Sequence, residues 1–436
     1  MTAHLGGVGD LDLASYLRPG DTVAWGQACA EPLTLTEALA EQRARLGGIR
    51  CFTGISSSAA LRPEHCDYLS FTSYTAAGAN RALIQAGALD ILATHYSELP
   101  GILSAGPQRV DVVFLSLPPP GPDGTYGLGL GADYAAGLVG QARVVIAEVN
   151  DQVPDLSCDR RLSPDELDVV VPVSRPPAEY PATAPRDIED AIAAHVAGLV
   201  PDGATIQLGI GSMPSAVARR LRGRRDLGVH SGLITDAIAE LIEAGVVTGV
   251  CKSIDRGLVV TGFLMGTQQL IRLAAADAAI TLRDTRYTHD PAILAAQTQL
   301  IAINSATEVD LTGQVNTETA AGRYVGAVGG AVDFARGAAR SRGGVPIIAL
   351  PSTADSALHI GASHIGASRI VARLSGPATL ARADAGVIVT EYGIADLRGL
   401  TLAQRRERML GIAHPDHRPA LAAAAAASDE PEGAFL

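Results

Sequence analysis

Two glycine loops and one strand end hold most of the residues in this chain that could do chemistry. In Asp226-Leu-Gly-Val-His-Ser-Gly-Leu-Ile-Thr-Asp236, a buried strand (Leu227 to Val229) gives way to small polar residues and then to a helix start. Thr235 or Asp236 falls in the first turn of that helix, where an acid suits the N-terminal dipole. A strand end running into a helix N-terminus is a favourable ligand site in α/β proteins, because unpaired backbone N–H groups point outward there. Just upstream, Gly209-Ile-Gly211-Ser-Met213-Pro opens a helix after a strand. Further on, Gly326-Ala-Val-Gly329-Gly330-Ala-Val-Asp-Phe does the same. Two such loops can line a cleft with N–H donors for a developing oxyanion, and they equally suit a tightly packed crossover. Ser231 carries a hydroxyl beside His230, whose ring projects to the opposite face of the strand.

The acids with a functional reading are Glu98, in His95-Tyr-Ser-Glu-Leu-Pro100, and Glu308, in Asn304-Ser-Ala-Thr-Glu-Val-Asp310. Glu308 follows a buried strand, the edge where polar residues gather around ligands; Glu98 lies in a similar polar stretch. Both also suit a structural role, bonding loop amides. The Arg219-Arg-Leu-Arg-Gly-Arg-Arg225 run reads as a solvated helix end. No spacing resembles a metal site, a nucleophile elbow or a Walker loop.

The elements that position these residues alternate short apolar strands with helical stretches, the pattern of a parallel α/β fold. Leu17 to Gly26, Asp111 to Leu117 and Arg143 to Val149 supply strands in the first half, and Pro32 to Gln42 has helical periodicity. Residues up to Asp12 look like a loose arm. Pro172 to Pro185 is proline-rich and aperiodic, which makes it a linker and sets two domains, 1–185 and 186–436. The second half restarts with the helix–turn–strand–glycine order of the first, so two related open α/β domains facing one another are expected, with convergent turn chemistry as the alternative. The alanine-rich tail from Ala420 extends a last helix and then frays around Pro431 and Gly433.

At 436 residues, 47% hydrophobic and 18% charged, the chain can build two sizeable cores. A net charge of −12 argues against a broad nucleic-acid or anionic-membrane surface. Five scattered cysteines with no C-x-x-C pair exclude a disulfide framework or zinc ribbon as the organising feature. Neither a secretory signal pattern nor a bilayer-length apolar run is visible, so a cytoplasmic protein is the expectation. Lys252 is the only lysine among 34 basic residues, which reads as genome composition.

Several motifs together resemble the acetyl-CoA hydrolase/CoA-transferase family, which includes 4-hydroxybutyrate and butyrate–acetate CoA-transferases. They are Gln207-Leu-Gly-Ile-Gly211, Asp226-Leu-Gly-Val-His230, Ala302-Ile-Asn-Ser-Ala-Thr-Glu-Val-Asp-Leu-Thr-Gly-Gln-Val315, Gly329-Gly-Ala-Val-Asp-Phe334, Ile347-Ile-Ala-Leu-Pro-Ser-Thr353 and Thr390-Glu-Tyr-Gly-Ile-Ala-Asp-Leu-Arg-Gly399. Ser97-Glu-Leu-Pro100 and Ala147-Glu-Val-Asn-Asp-Gln152 fit as well. The resemblance implies an active site between the domains, a coenzyme A thioester as substrate with no permanently bound cofactor, a carboxylate such as acetate as a second substrate in the transferases, and a homo-oligomer. It implies a glutamate that attacks the thioester, with backbone amides holding the oxyanion. At the position where that glutamate follows the His-Ser or His-Thr pair, this chain has Gly232. Three functions follow: an acyl-CoA enzyme in which water or a substrate group replaces the covalent route, a CoA-transferase using Glu98 or Glu308, and a non-catalytic acyl-CoA-binding protein.

Overall fold

The computed structural model describes residues 2–354 and 366–427. Two parallel sheets dominate it. The first runs Ala3–His4, Val169–Val173, Val144–Asn150, Val112–Leu117, Thr22–Trp25, Ile49–Thr53, Leu69–Ser73 and Leu89–Ile91 in spatial order. The second runs Gly393–Asp396, Val387–Thr390, Val345–Ala349, Leu300–Ser305, Thr205–Leu208, Gly228–His230, Val259–Thr261, Ile280–Leu282 and Ser157–Cys158. Only Gly393–Asp396 is antiparallel in it. The central strands are short apolar runs buried on both faces, as Val112–Leu117 shows, because helices cover a parallel sheet on each side.

The supposed loose arm is not loose. Ala3 and His4 pair in parallel with Val169 and Val170 and add an edge strand. A second departure is at the far edge of the second sheet, where Ser157 and Cys158 from the first half pair with Thr281 and Leu282. Between the buried strand Gly228–His230 and the helix Asp236–Glu243, Leu233–Ile234 forms its own short pair with Phe263–Leu264. The last described helix is Arg418–Ala427, and Pro431 and Gly433 lie outside the described residues.

One face of the first sheet packs Val23, Trp25 and Cys51 against Leu35 and Leu39 of the helix Leu33–Gln42. The other face, with Ala24, Phe52 and Val113, joins a cluster that continues through Ile206, Val229 and Phe263 of the second half. The two halves therefore share one apolar core. All five cysteines are free.

Buried acids tie strand ends to helix starts. Glu148, 1% exposed, accepts from the amides of Thr34 and Leu35 at 2.9 and 3.3 Å, satisfying two of the orphan donors at the start of that helix. Burial pushes its carboxyl up to about 7. Replacing Glu148 with alanine leaves both amides buried and unpaired, and a loss of about 2–3 kcal/mol is expected in urea denaturation. Glu148→Gln, which keeps an acceptor oxygen, is expected to lose about half of that.

Candidate active site

Strand order reverses once in each sheet, and such switch points place ligands at the carboxyl ends of the strands. In the second sheet the reversal lies between Thr205–Leu208 and Leu300–Ser305. A reciprocal amide pair locks it: Gln207 Nε2 donates to Asn304 Oδ1 at 3.2 Å, and Asn304 Nδ2 donates to Gln207 Oε1 at 3.1 Å. The carboxyl ends of both sheets face a common cavity of about 440 Å³, within the size range of small-molecule sites. Ile55, Tyr74 and Tyr96 line it from the first half, and Ser231, Gly232 and His289 from the second.

The halves are zipped together along one wall. Ala76 N–H donates to Gly326 O and Tyr96 N–H to Gly329 O, both at 3.0 Å. Ser97 adds its amide and its hydroxyl to the Asp333 carboxylate at 3.1 and 2.8 Å. Gly326 cannot be anything larger, since a Cβ there would lie 2.0 Å from Thr317 O.

Of the residues singled out in the sequence, Gly209, Gly211, Ser231, Gly232, Gly326, Gly329 and Gly330 come together around the cavity. Their amides are not equally available. Gly209 N–H is bonded to Ile303 O and Gly326 N–H to Glu318 O, so neither is free to meet an oxyanion. Gly211, at φ +107°, starts the helix Ser212–Arg220 in a conformation that favours glycine. Three candidates fall outside the lining. Met213 packs into the core at 5% exposure. Glu98 is exposed, on the turn that carries the Ser97–Asp333 latch. Glu308 is buried, but its carboxylate accepts from Asn316 Nδ2, the Ser375 hydroxyl and the amides of Ser375 and Gly376, the loop-tying role open to it from the sequence. Ser231 Oγ is buried with no hydrogen-bond partner, so no base stands ready to activate it. The arginine run is paired outward: Arg220 with Asp190, Arg222 with Glu240 and Arg225 with Asp202.

His289 is the residue that the sequence did not mark. It follows the short helix Thr285–Thr288, and its ring lies between Tyr96 and Phe334, with centroids 4.7 and 4.9 Å away. The ring occupies the volume above two glycines. A Cβ on Gly232 would lie 2.6 Å from His289 Cε1 and 3.0 Å from Nε2, and a Cβ on Gly330 would lie 2.7 Å from Nε2. Nδ1 is 2.9 Å from Thr288 Oγ1, whose own hydroxyl is directed at Asp284 O at 3.4 Å. Thr288 donating to that carbonyl leaves Nδ1 as the donor and Nε2 as an acceptor beside the two glycines, whereas Thr288 donating to Nδ1 reverses the two nitrogens. The Thr288 carbonyl meanwhile accepts from His230 Nε2 at 3.1 Å. Burial, with His230 nearby, pushes His289 down to about 3; burial, then the Lys252 charge, pushes His230 down to about 4. Both rings are neutral at physiological pH.

Gln27 sets the tyrosines: its Nε2 donates to Tyr96 Oη at 2.6 Å, and its Oε1 accepts from Tyr74 Oη at 2.7 Å. The supposed linker also contributes, with Tyr180, Ala182 and Thr183 in the cavity wall and Tyr180 N–H bonded to Gly266 O at 2.8 Å. Among the described residues, no Asp or Glu lines the cavity and Arg81 is its only cation. Among them too, no group of three or more His, Cys, Asp or Glu is placed to hold a metal ion, and no helix is long and apolar enough to cross a membrane.

A cavity at the switch point of one parallel sheet, closed by a second α/β domain, defines a small-molecule enzyme of the two-domain α/β class. The chain belongs to the acetyl-CoA hydrolase/transferase family: residues 10–175 match the N-terminal domain model and residues 266–425 the C-terminal one. It is 32% identical to the 4-hydroxybutyrate coenzyme A transferase of Clostridium kluyveri over 92% of each chain. It is 33% identical to the butyryl-CoA:acetate CoA-transferase of Anaerostipes caccae, over 94% of this chain and 93% of that one. The crystal structure of RipA from Yersinia pestis superposes with a TM-score of 0.88 at 32% identity, covering 95% of this chain and 96% of that one.

The neutral state of His289 sets a pH dependence. Its native form stays unprotonated down to about pH 3, whereas the unfolded chain takes up a proton near 6.5. The stability tied to this ring is therefore full above pH 6.5 and falls by about 1.4 kcal/mol per pH unit below it. His289→Asn removes that dependence. In urea titrations the stability gap between variant and wild type is expected to shrink by about 2 kcal/mol between pH 7.5 and pH 5.

Proposed function

We propose that this chain cleaves an acyl-CoA thioester in the cavity between its domains, with water rather than an enzyme carboxylate attacking the acyl carbon. One observation carries the reading: the cavity has no carboxylate among the described residues, and the space beside Gly232 is filled by the imidazole of His289. CoA transfer through a glutamyl intermediate needs a carboxylate that can be both nucleophile and leaving group. Hydrolysis needs only a polarised carbonyl and a water. Arg81 and the helix start at Gly211 suit the anionic parts of a coenzyme A ester, and the apolar wall of Ile55, Phe263, Met265 and Phe334 suits its acyl chain. The family's own description pairs hydrolase with transferase, so both outcomes are within its range. A transferase reading would have to recruit Glu98 from the surface or free Glu308 from its four donors, and neither faces the cavity.

Thiol release from acetyl-, butyryl- and hexanoyl-CoA, followed with and without acetate, tests the proposal. Release at the same rate without acetate is expected, with no borohydride-sensitive enzyme thioester during turnover. Release that depends on acetate, or binding of every ester with no release, would overturn it. Restoring the carboxylate alone should fail, because the Gly232→Glu side chain collides with the His289 ring. The pair Gly232→Glu with His289→Ala is expected to exchange CoA between butyryl-CoA and acetate.

A further inference from the structure

If water is the nucleophile, as proposed above, it must lose a proton while it attacks, and the thiolate must gain one as it leaves. Among the described residues, the groups lining the cavity that can gain or lose a proton are Tyr74, Tyr96, Tyr180, Arg81 and His289. The hydroxyls of Tyr74 and Tyr96 are engaged by Gln27, and burial holds both phenols well above their ordinary range. Burial also raises Tyr180, and Arg81 carries no usable lone pair. Ser231 has a buried hydroxyl without a partner, hence no base of its own. Of these titratable groups among the described residues, His289 is the one whose ring nitrogen lies against Gly232 and Gly330. In the tautomer with Nδ1–H donating to Thr288 Oγ1, 2.9 Å away, the ring's lone pair is on Nε2, over Gly232 and Gly330.

We propose that His289 is the general base of thioester hydrolysis, with Nε2 taking a proton from a water that attacks the acyl carbon. In that step the water oxygen–carbon bond forms, the carbonyl π pair moves onto oxygen, and the water proton passes to Nε2. When the tetrahedral intermediate collapses, the carbonyl reforms, the carbon–sulfur bond breaks, and the imidazolium returns its proton to the departing sulfur. The products are coenzyme A as the thiol and a carboxylic acid, which loses its proton to solvent.

A ring kept neutral down to about pH 3 is a weak base in the empty site. Its proton affinity rises when the oxyanion develops beside it, because opposite charges in a desolvated site attract far more strongly than in water. The imidazolium is thus favoured in the transition state over the ground state, the difference that accelerates a reaction. The same burial keeps the base unprotonated across the working pH range.

The test uses the full chain and the acyl-CoA on which the wild type is most active. His289→Gln keeps much of the side-chain volume and is expected to lose about 100-fold or more in kcat with KM little changed. His289→Ala should behave alike and recover activity on addition of imidazole. The rescued rate should fall on the acid side of neutrality as free imidazole protonates, whereas the wild-type rate stays level from pH 8 to pH 5. Hydrolysis by His289→Gln within about tenfold of wild type overturns the base role and leaves the hydrolytic reading standing. Loss of activity in a folded His289→Ala that imidazole does not rescue overturns it too, and assigns the ring to packing. A wild type that releases CoA only to a carboxylate acceptor overturns both. If the alanine variant does not fold, the kcat and KM of His289→Gln decide.

Discussion

The site depends on an exchange of volume between one imidazole and two glycines. His289 can stand over Gly232 and Gly330 only because neither has a Cβ: at 2.6–3.0 Å from ring atoms, even an alanine would have to displace the ring. Tyr96 and Phe334 hold the ring from the sides, and Thr288 holds its Nδ1. Tyr96 comes from the first half and Phe334 from the second, so the pocket for the ring exists only when the halves are docked. The Ala76–Gly326, Tyr96–Gly329 and Ser97–Asp333 bonds that dock them are thus also what places the imidazole.

Burial explains the electrostatics of the cavity better than charge does. The chain carries −12, yet no acid among the described residues lines the cavity, and both central histidines are held neutral. A charged imidazole wedged between two aromatic rings would lose its hydration without a carboxylate to replace it. Among the described residues, the site is therefore a nearly uncharged hollow with one arginine at its wall. In such a medium, small dipoles such as loop amides act strongly on any charge that a bound thioester develops.

Much of the frame was legible because parallel strands buried on both faces announce themselves as apolar runs. Thr22–Trp25, Val112–Leu117, Val144–Asn150 and Gly228–His230 each lie within or about a residue of where the sequence puts them. The glycine loops were legible as well, since tight strand-to-helix turns need glycine whatever else they do. What the sequence concealed was contact across distance. His289 sits in Asp284-Thr-Arg-Tyr-Thr-His-Asp290, with neither a glycine turn nor an apolar period to draw the eye. Its importance comes from Gly232, 57 residues upstream, and Tyr96, in the other half. The proline-rich stretch was readable as aperiodic, but nothing in composition says that Tyr180 and Thr183 lie against a cavity. Lys252 reads as compositional in the sequence, yet its ammonium donates to Val229 O and Leu258 O and its stem fills the space over Gly228, bracing the strand that ends at His230.

Glycine at 232 and histidine at 289 therefore belong to one arrangement, and each changes the meaning of the other. With a carboxylate at 232, the ring volume would be claimed by the acid, and a neighbouring imidazole would be drawn toward its charged form by the opposite charge. With glycine at 232, that volume holds the neutral His289 ring, and on the proposed reading the ring's partner in the reaction is water. On the proposed reading, an imidazole where the resemblance places a carboxylate changes which group attacks the thioester.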